Sequence, residues 1–150
     1  MHKITPFLWY NGRIQEAVTL YTTVFPSLKV LGTSPGPDGL MSATLEIEGQ
    51  QLILFNGGPH HALSPAVSLY VNCETQEEVD RLWSQLVDGG AESRCGWLTD
   101  RFGLSWQIIP SILPTLLQDS DRNKANRAMN AMLGMGKIDI AELERAASAS

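Results

Sequence analysis

Laid on itself with an offset of 61 residues, the chain repeats. Leu8 meets Leu69, Asn11 meets Asn72, Gln15 meets Gln76, Glu16 meets Glu77 and Val18 meets Val79. Five identities in eleven positions point to a duplication, so one supersecondary unit is built twice. In both copies a short apolar run with β-branched and aromatic residues leads into an amphipathic stretch, the pattern of a strand followed by a helix.

The first helix carries Ile14, Ala17, Val18, Tyr21 and Val24 or Phe25 at three-and-four spacing and must end before Pro26. The second has Thr75 three residues before Glu78, a capping box, then Val79, Leu82, Trp83 and Leu86 up to Gly89-Gly90. Strands are expected over 28–33, 41–48 and 51–56 in the first copy, with a Pro/Gly loop from Ser34 to Gly39 and a turn at Glu48-Gly49. Shorter strands over 91–95, 96–100 and 104–109 complete the second. Each module reads β-α-β-β-β, and 57–65 is the linker between them. Beyond Pro110 the composition changes, and Pro114 ends the sheet pattern. Ala125, Ala128, Met129, Met132 and Leu133 mark a helix over 122–133, its methionines read as core packing, and Asp139 with Glu142 caps a last short one. The fold class is α+β, with a domain over 1–110 (modules 1–56 and 66–110) and a helical extension over 111–150.

Strand parity divides each run into two faces. Leu8 with Tyr10, Ala43 with Leu45 and Ile47, Leu52 with Leu54, Val67 with Leu69 and Val71, and Trp106 with Ile108 suit burial beneath helices. The opposite faces mix rings with hydroxyls, an amide and a carboxylate: Thr5, Phe7 and Trp9; Glu46; Ile53 and Phe55; Ser68 and Tyr70; Gln107. Such a mixture suits a small-molecule pocket, but the pattern alone also describes a second core or a solvated sheet face.

Composition narrows the partners. Eleven Lys and Arg are scattered among sixteen acids, for a net charge of −5, so the clustered cations that grip phosphates are missing and a nucleic-acid partner is not expected. No stretch reaches the roughly 20 apolar residues of a bilayer span, and the start lacks the apolar run of a secretory signal. The expectation is a soluble cytoplasmic protein with no membrane partner. Cys73 and Cys95 belong to no disulfide framework and read as core or loop thiols.

The repeat, together with the segment Cys95-Gly96-Trp97-Leu98-Thr99-Asp100-Arg101-Phe102-Gly103-Leu104-Ser105-Trp106-Gln107-Ile108-Ile109-Pro110, resembles the vicinal oxygen chelate superfamily, the glyoxalase and bleomycin-resistance fold. Within it the chain is similar to the PhnB-like group, which often carries the label 3-demethylubiquinone-9 3-methyltransferase. The start from Ile4 to Gly12, and the tail around Ala128–Leu133 and Lys137–Ile140, also look typical of that group. The resemblance implies paired βαβββ modules whose curved mixed sheets surround a cavity, usually in a homodimer.

In metal-using branches, the resemblance places the ligands at Thr5 (within one residue), Ile53, Ala66 and Gln107. Only Gln107 could be a ligand, whereas a divalent transition metal needs three or more donors, so no metal is expected. His60 and His61 adjoin in an extended linker, where neighbours point apart, and read as a solvated pair; His2 lies at the terminus. The methyltransferase label finds no Gly-rich turn between a strand and a helix: Gly57-Gly58-Pro59 leads into histidines. No cofactor is therefore expected, and no catalytic residue is assigned. Glu46 is the one carboxylate on the mixed face, a general base if desolvated and otherwise an exposed or paired acid. Asp100 reads as a turn-former bonding local N–H groups.

The expectation is a metal-independent protein that holds a small apolar or aromatic molecule between the sheets. Trp9, Phe55, Tyr70 and Trp97 supply rings, and Ser68, Gln107 and Glu46 orient polar groups. The rival is an enzyme: a metal-dependent isomerase, lyase or dioxygenase, or the methyltransferase of the label.

Overall fold

The structure, a computed structural model, describes residues 2–149; Met1 and Ser150, the outer ends of the expected segments, lie outside the described residues. The β-α-β-β-β order occurs twice, once in each of two units, Met1–Ser64 and Pro65–Ser150. Each unit has a four-stranded mixed sheet that stays open.

In the first unit, β1 (Phe7–Tyr10), α1 (Ile14–Val24), β2 (Lys29–Gly36), β3 (Gly39–Ile47) and β4 (Gln50–Asn56) give the sheet order β1-β4-β3-β2, with β1 parallel to β4. Gly12 and Arg13 adopt positive φ at 69° and 60°, which turns the chain from β1 into α1, and Asn56 Oδ1 receives the Gly12 N–H at 2.8 Å. The expected stripe of α1 is buried. Beneath it Ala43, Leu45, Leu52 and Leu54 are buried too, each large side chain stabilising the fold by about 1.5–3 kcal/mol. Glu48 and Gly49 both take positive φ, 48° and 84°, the pairing that suits a tight hairpin between twisted strands.

The Pro/Gly loop expected from Ser34 to Gly39 is instead mostly strand. β2 runs to Gly36 and β3 starts at Gly39, leaving only Pro37 and Asp38 in the turn. β2 is the sheet edge and is exposed along nearly its whole length, so it needs no apolar alternation, and its open side tolerates the missing N–H of Pro35.

The second unit contains β5 (Ser68–Cys73), α2 (Gln76–Val87), β6 (Ala91–Glu92), β7 (Trp97–Thr99) and β8 (Ser105–Pro110), in sheet order β5-β8-β7-β6 with β5 parallel to β8. The Thr75 side chain caps α2 by accepting from Glu78 N at 3.1 Å, and Glu78 answers by accepting from Glu74 N at 3.0 Å. Val79, Leu82, Trp83 and Leu86 are buried, as are Trp106 and Ile108 in the sheet. The aliphatic set of β5 is less covered than expected. Val67 precedes the strand and is 65% exposed, while Leu69 and Val71 are half-buried on an edge strand with one neighbour.

The strand expected over 91–95 is only two residues long. Cys95 and Gly96 take positive φ, 60° and 84°, and their N–H groups donate to Met135 O and Gly136 O, both at 2.8 Å, rather than to a neighbouring strand.

After β8 come α3 (Ile112–Leu117), α4 (Arg122–Leu133) and α5 (Ile140–Ser148). The sheet pattern ends before Pro114, as expected, and the proline itself lies inside a helix. It occupies the third position of α3, where a helix has no use for its N–H. The Asp121 and Asp139 side chains cap α4 and α5. The three helices close over Ile109, Leu113, Leu116, Ala128, Ile138, Leu143 and Ala147. The methionine stripe is core packing only in part: Ala125 and Ala128 are buried and half-buried Met132 packs against the cluster, while Met129 and Leu133 are exposed. Small alanines let α4 approach closely and displace the longer side chains to its flanks. Among the described residues no helix is long and apolar enough to cross a membrane.

Candidate functional site

On the face of the second sheet away from α2, the ladder places Gln107 between two rings. Tyr70 lies opposite it on β5 and Trp97 opposite it on β7. Residues directly opposite share a face, so the three side chains form one row. Gln107 Nε2 donates to Ser68 Oγ at 2.9 Å, and Ser68 lies two residues before Tyr70 on the same face of β5. This bond fixes the carboxamide and leaves its Oε1 as an acceptor.

Around that row is a pocket of about 230 Å³, lined by Tyr70, Cys95, Trp97, Gln107 and Ile109 from the sheet and by Leu113, Pro114, Leu117 and Met132 from α3 and α4. No charged side chain lines it. Burial pushes the Tyr70 phenol above its ordinary pKa and keeps it neutral at physiological pH, although 48% of the residue remains exposed.

The structure therefore brings together four of the expected residues: Ser68, Tyr70, Trp97 and Gln107. Trp9 and Phe55 meet in the first unit, opposite each other in the β1–β4 ladder with ring centroids 5.3 Å apart; Phe7 lies 5.2 Å from Phe55. The polar edge of Trp9 is already engaged, since Nε1 donates to Gly58 O at 3.0 Å and the His61 ring meets the indole edge-on at 4.8 Å. A Cβ on Gly57 would fall 2.0 Å from the Trp9 ring, so glycine is required for the linker to cross it. His60 and His61 are both exposed, as expected of a solvated linker pair, and His61 in addition makes a ring contact with Trp9.

Glu46 fits the paired-acid reading rather than that of a base beside the rings. It lies opposite Gln51 and Lys29, with Lys29 Nζ 3.7 Å from its carboxylate. Four residues of strand, about 13 Å, separate its row from that of Phe55 and Trp9. Asp100 behaves as expected: Oδ1 accepts from Phe102 N at 2.9 Å and Leu104 N at 3.1 Å.

Sequence reasoning missed the apolar wall. Leu113 and Leu117 lie in the helix hidden by Pro114, and Met132 was assigned to the core. Cys95 carried one signal, the Cys-Gly pair that breaks the strand and turns the thiol toward the row.

The sequence profile of the 3-demethylubiquinone-9 3-methyltransferase family matches residues 2–109. The chain belongs to that family. Among solved structures, this family member is 31% identical to a PhnB protein of Bacillus cereus, over 73% of this chain and all of that one, with a TM-score of 0.68. A fosfomycin resistance protein, FosX, of Listeria monocytogenes, solved with Mn(II) and a sulfate ion, matches over 71% of this chain and 90% of its own at 13% identity and a TM-score of 0.54. A glyoxalase-related enzyme of Fulvimarina pelagi matches over 75% and 91% at 16% identity and a TM-score of 0.52. The last two likenesses show the fold of the vicinal oxygen chelate superfamily. No curated protein matches the chain.

The groups associated with this family and fold do not fit the residues present. Ile53 and Ala66 have no donor side chain, and Gln107, through the Oε1 that its bond to Ser68 leaves available, is one donor where a divalent transition metal needs three or more. The ladder also corrects the correspondence between modules. Trp9 pairs with Phe55 as Tyr70 pairs with Gln107, so the counterpart of Gln107 is Phe55 rather than Ile53, and it too has no donor. Among the described residues no three His, Cys, Asp or Glu side chains gather as a metal site. For the methyltransferase of the 3-demethylubiquinone-9 family name, S-adenosylmethionine would bring a sulfonium, an ammonium and a carboxylate into a pocket whose lining offers no opposite charge.

Proposed function

We propose that this protein binds a small, neutral, apolar or aromatic molecule without a metal, in the pocket over Tyr70, Gln107 and Trp97, and does so as a cytoplasmic homodimer. The observation that carries the reading is the Tyr70–Gln107–Trp97 row, in which an amide fixed by Ser68 lies between two rings under an apolar wall. An apolar enclosure with a few placed polar groups is the general form of a small-molecule site. Both cysteines are free, as a reducing compartment requires. Exposed Ile4, Phe7 and Val67 supply apolar surface for a second copy to cover.

The test is ligand-observed NMR with benzene, toluene, phenol and indole, on protein treated with EDTA and on untreated protein. Saturable binding that EDTA leaves unchanged, and that Tyr70→Ala and Gln107→Leu each weaken, is the expected result. Binding that needs an added divalent metal, or that both substitutions leave intact, would overturn it.

A further inference from the structure

Four of the nine residues around the pocket, Leu113, Pro114, Leu117 and Met132, come from helices beyond residue 109, where the family match stops. The sheet supplies the polar row and the extension supplies the apolar wall. We infer that the C-terminal helices select the occupant: a single neutral aromatic ring bearing an O–H or N–H donor, with Leu117 and Met132 setting the size limit. This deepens the binding reading above and rests on it.

The donor follows from Gln107. With Nε2 committed to Ser68, the half-buried carboxamide presents Oε1 between two rings, and a ligand that covers it leaves that acceptor satisfied only if the ligand donates. Neutrality follows from a lining without ionised groups, because an unpaired charge there would lose its hydration without compensation. The size follows from the volume. About 230 Å³ exceeds the roughly 150 Å³ that accepts benzene in an apolar cavity, but lies below the roughly 300 Å³ at which pockets begin to take drug-sized molecules. One substituted ring is accommodated in this space, and a second fused ring must be placed against Leu117 and Met132 or toward the open side. Both side chains are half-buried pocket wall outside the fully buried core. They pack against that core from its edge, and shortening either one widens the pocket beside it.

Calorimetric titration with phenol, toluene and 1-naphthol tests the inference. The wild-type protein should prefer phenol to toluene by about tenfold or more, the discrimination expected where an unmet acceptor is left behind, and Gln107→Leu should reduce that ratio to about threefold or less. Phenol should also bind more tightly than 1-naphthol. Leu117→Ala and Met132→Ala should each shift that preference toward 1-naphthol by about fivefold or more, and Met132→Phe should shift it the other way. Circular-dichroism melts confirm that each variant is folded. If phenol binding depends on Gln107 but the naphthol preference is the same in all three wall variants, the extension is not the selector and only the binding reading stands. If no probe binds saturably to the wild-type protein, both fall.

Discussion

Trp106 donates its indole N–H to Asp100 Oδ2 at 2.9 Å, with both residues almost wholly buried. The other oxygen of the same carboxylate receives two backbone N–H groups of the turn, those of Phe102 and Leu104. One acid thus shapes the β7–β8 hairpin and locks the residue preceding Gln107. The D-x-F-G-x-x-W-Q segment is in these terms a device for holding the amide of the pocket in place.

Asp100→Ala removes the acceptor of three buried or half-buried donors, and should lower stability by about 3 kcal/mol or more, since each abandoned donor costs about 1–3 kcal/mol. Urea denaturation should show the loss as a reduced midpoint with an unchanged slope. A midpoint equal to that of the wild type would mean that the turn holds itself without the carboxylate.

Ser105 should respond in the opposite direction. Its Oγ is buried with no hydrogen-bond partner among the described residues, opposite Ser68 in the ladder. Ser105→Ala discards an unmet hydroxyl and should stabilise the protein by about 1 kcal/mol. A melting temperature that falls instead would show that the hydroxyl is satisfied in solution.

The helices that the sequence revealed are those whose ends and faces are encoded locally. Thr75, Asp121 and Asp139 accept from the first-turn N–H groups of α2, α4 and α5, and α1 buries its expected stripe. Strand parity likewise placed Ser68, Tyr70 and Gln107 on one face, because a ladder preserves alternation. What stayed hidden depends on tertiary context. Pro35 is tolerated only because β2 is an edge, and Pro114 only because it falls in the first turn of α3. The placement of the segment leading into α5 rests on bonds that join distant parts of the chain. Gln76 Nε2 donates to Ile138 O at 3.0 Å, and Gln76 Oε1 accepts from Ile140 N at 2.8 Å. Nothing in the local pattern around either segment announces such a pairing.

The two thiols should behave differently. Burial, reinforced by Glu78, raises the Cys73 pKa from 9.0 to about 12, whereas Cys95 is half-buried at the pocket. A thiol reagent at pH 8 should label Cys95 quickly and Cys73 only on unfolding, and saturating phenol should slow the Cys95 reaction. Because the folded Cys73 pKa lies above the unfolded one, its stabilising contribution is whole below about pH 9 and is lost as pH climbs toward 12. Cys73→Ala should flatten that alkaline decline; a decline of unchanged steepness would assign it to other groups.

The clamp on the C-terminal helices should be acid-sensitive. Hydrogen bonds from Lys137, at 2.7 Å, and from Gln76 lower the Asp80 pKa. A depressed folded pKa contributes stability above the unfolded value, and that contribution is lost as pH falls through the folded one. The pair is exposed, so Lys137→Met should cost less than about 1 kcal/mol near neutrality, and the difference from wild type should vanish in acid. Gln76→Ala, which also frees Ile138 and Ile140, should raise hydrogen exchange across α5 more than Lys137→Met does. Equal exchange in the two variants would remove Gln76 from the clamp.

Trp9 and Tyr70 occupy corresponding places in the two modules, yet their removal should be felt in different ways. The Trp9 indole is bonded to Gly58 O and packed against Phe55 and His61, so Trp9→Ala strips the linker of its support and should lower stability by about 3 kcal/mol. Tyr70 is half-exposed and its hydroxyl makes no hydrogen bond among the described residues, so Tyr70→Ala should change stability by less than about 1 kcal/mol while weakening phenol binding. The measurement is a pair of denaturation curves beside a pair of phenol titrations. The two effects are separable because the second-module ring is left available by the same fold that commits the first. If Trp9→Ala weakened phenol binding while leaving the melting temperature alone, and Tyr70→Ala did the reverse, the ligand would belong on the first sheet and the row around Gln107 would be structural.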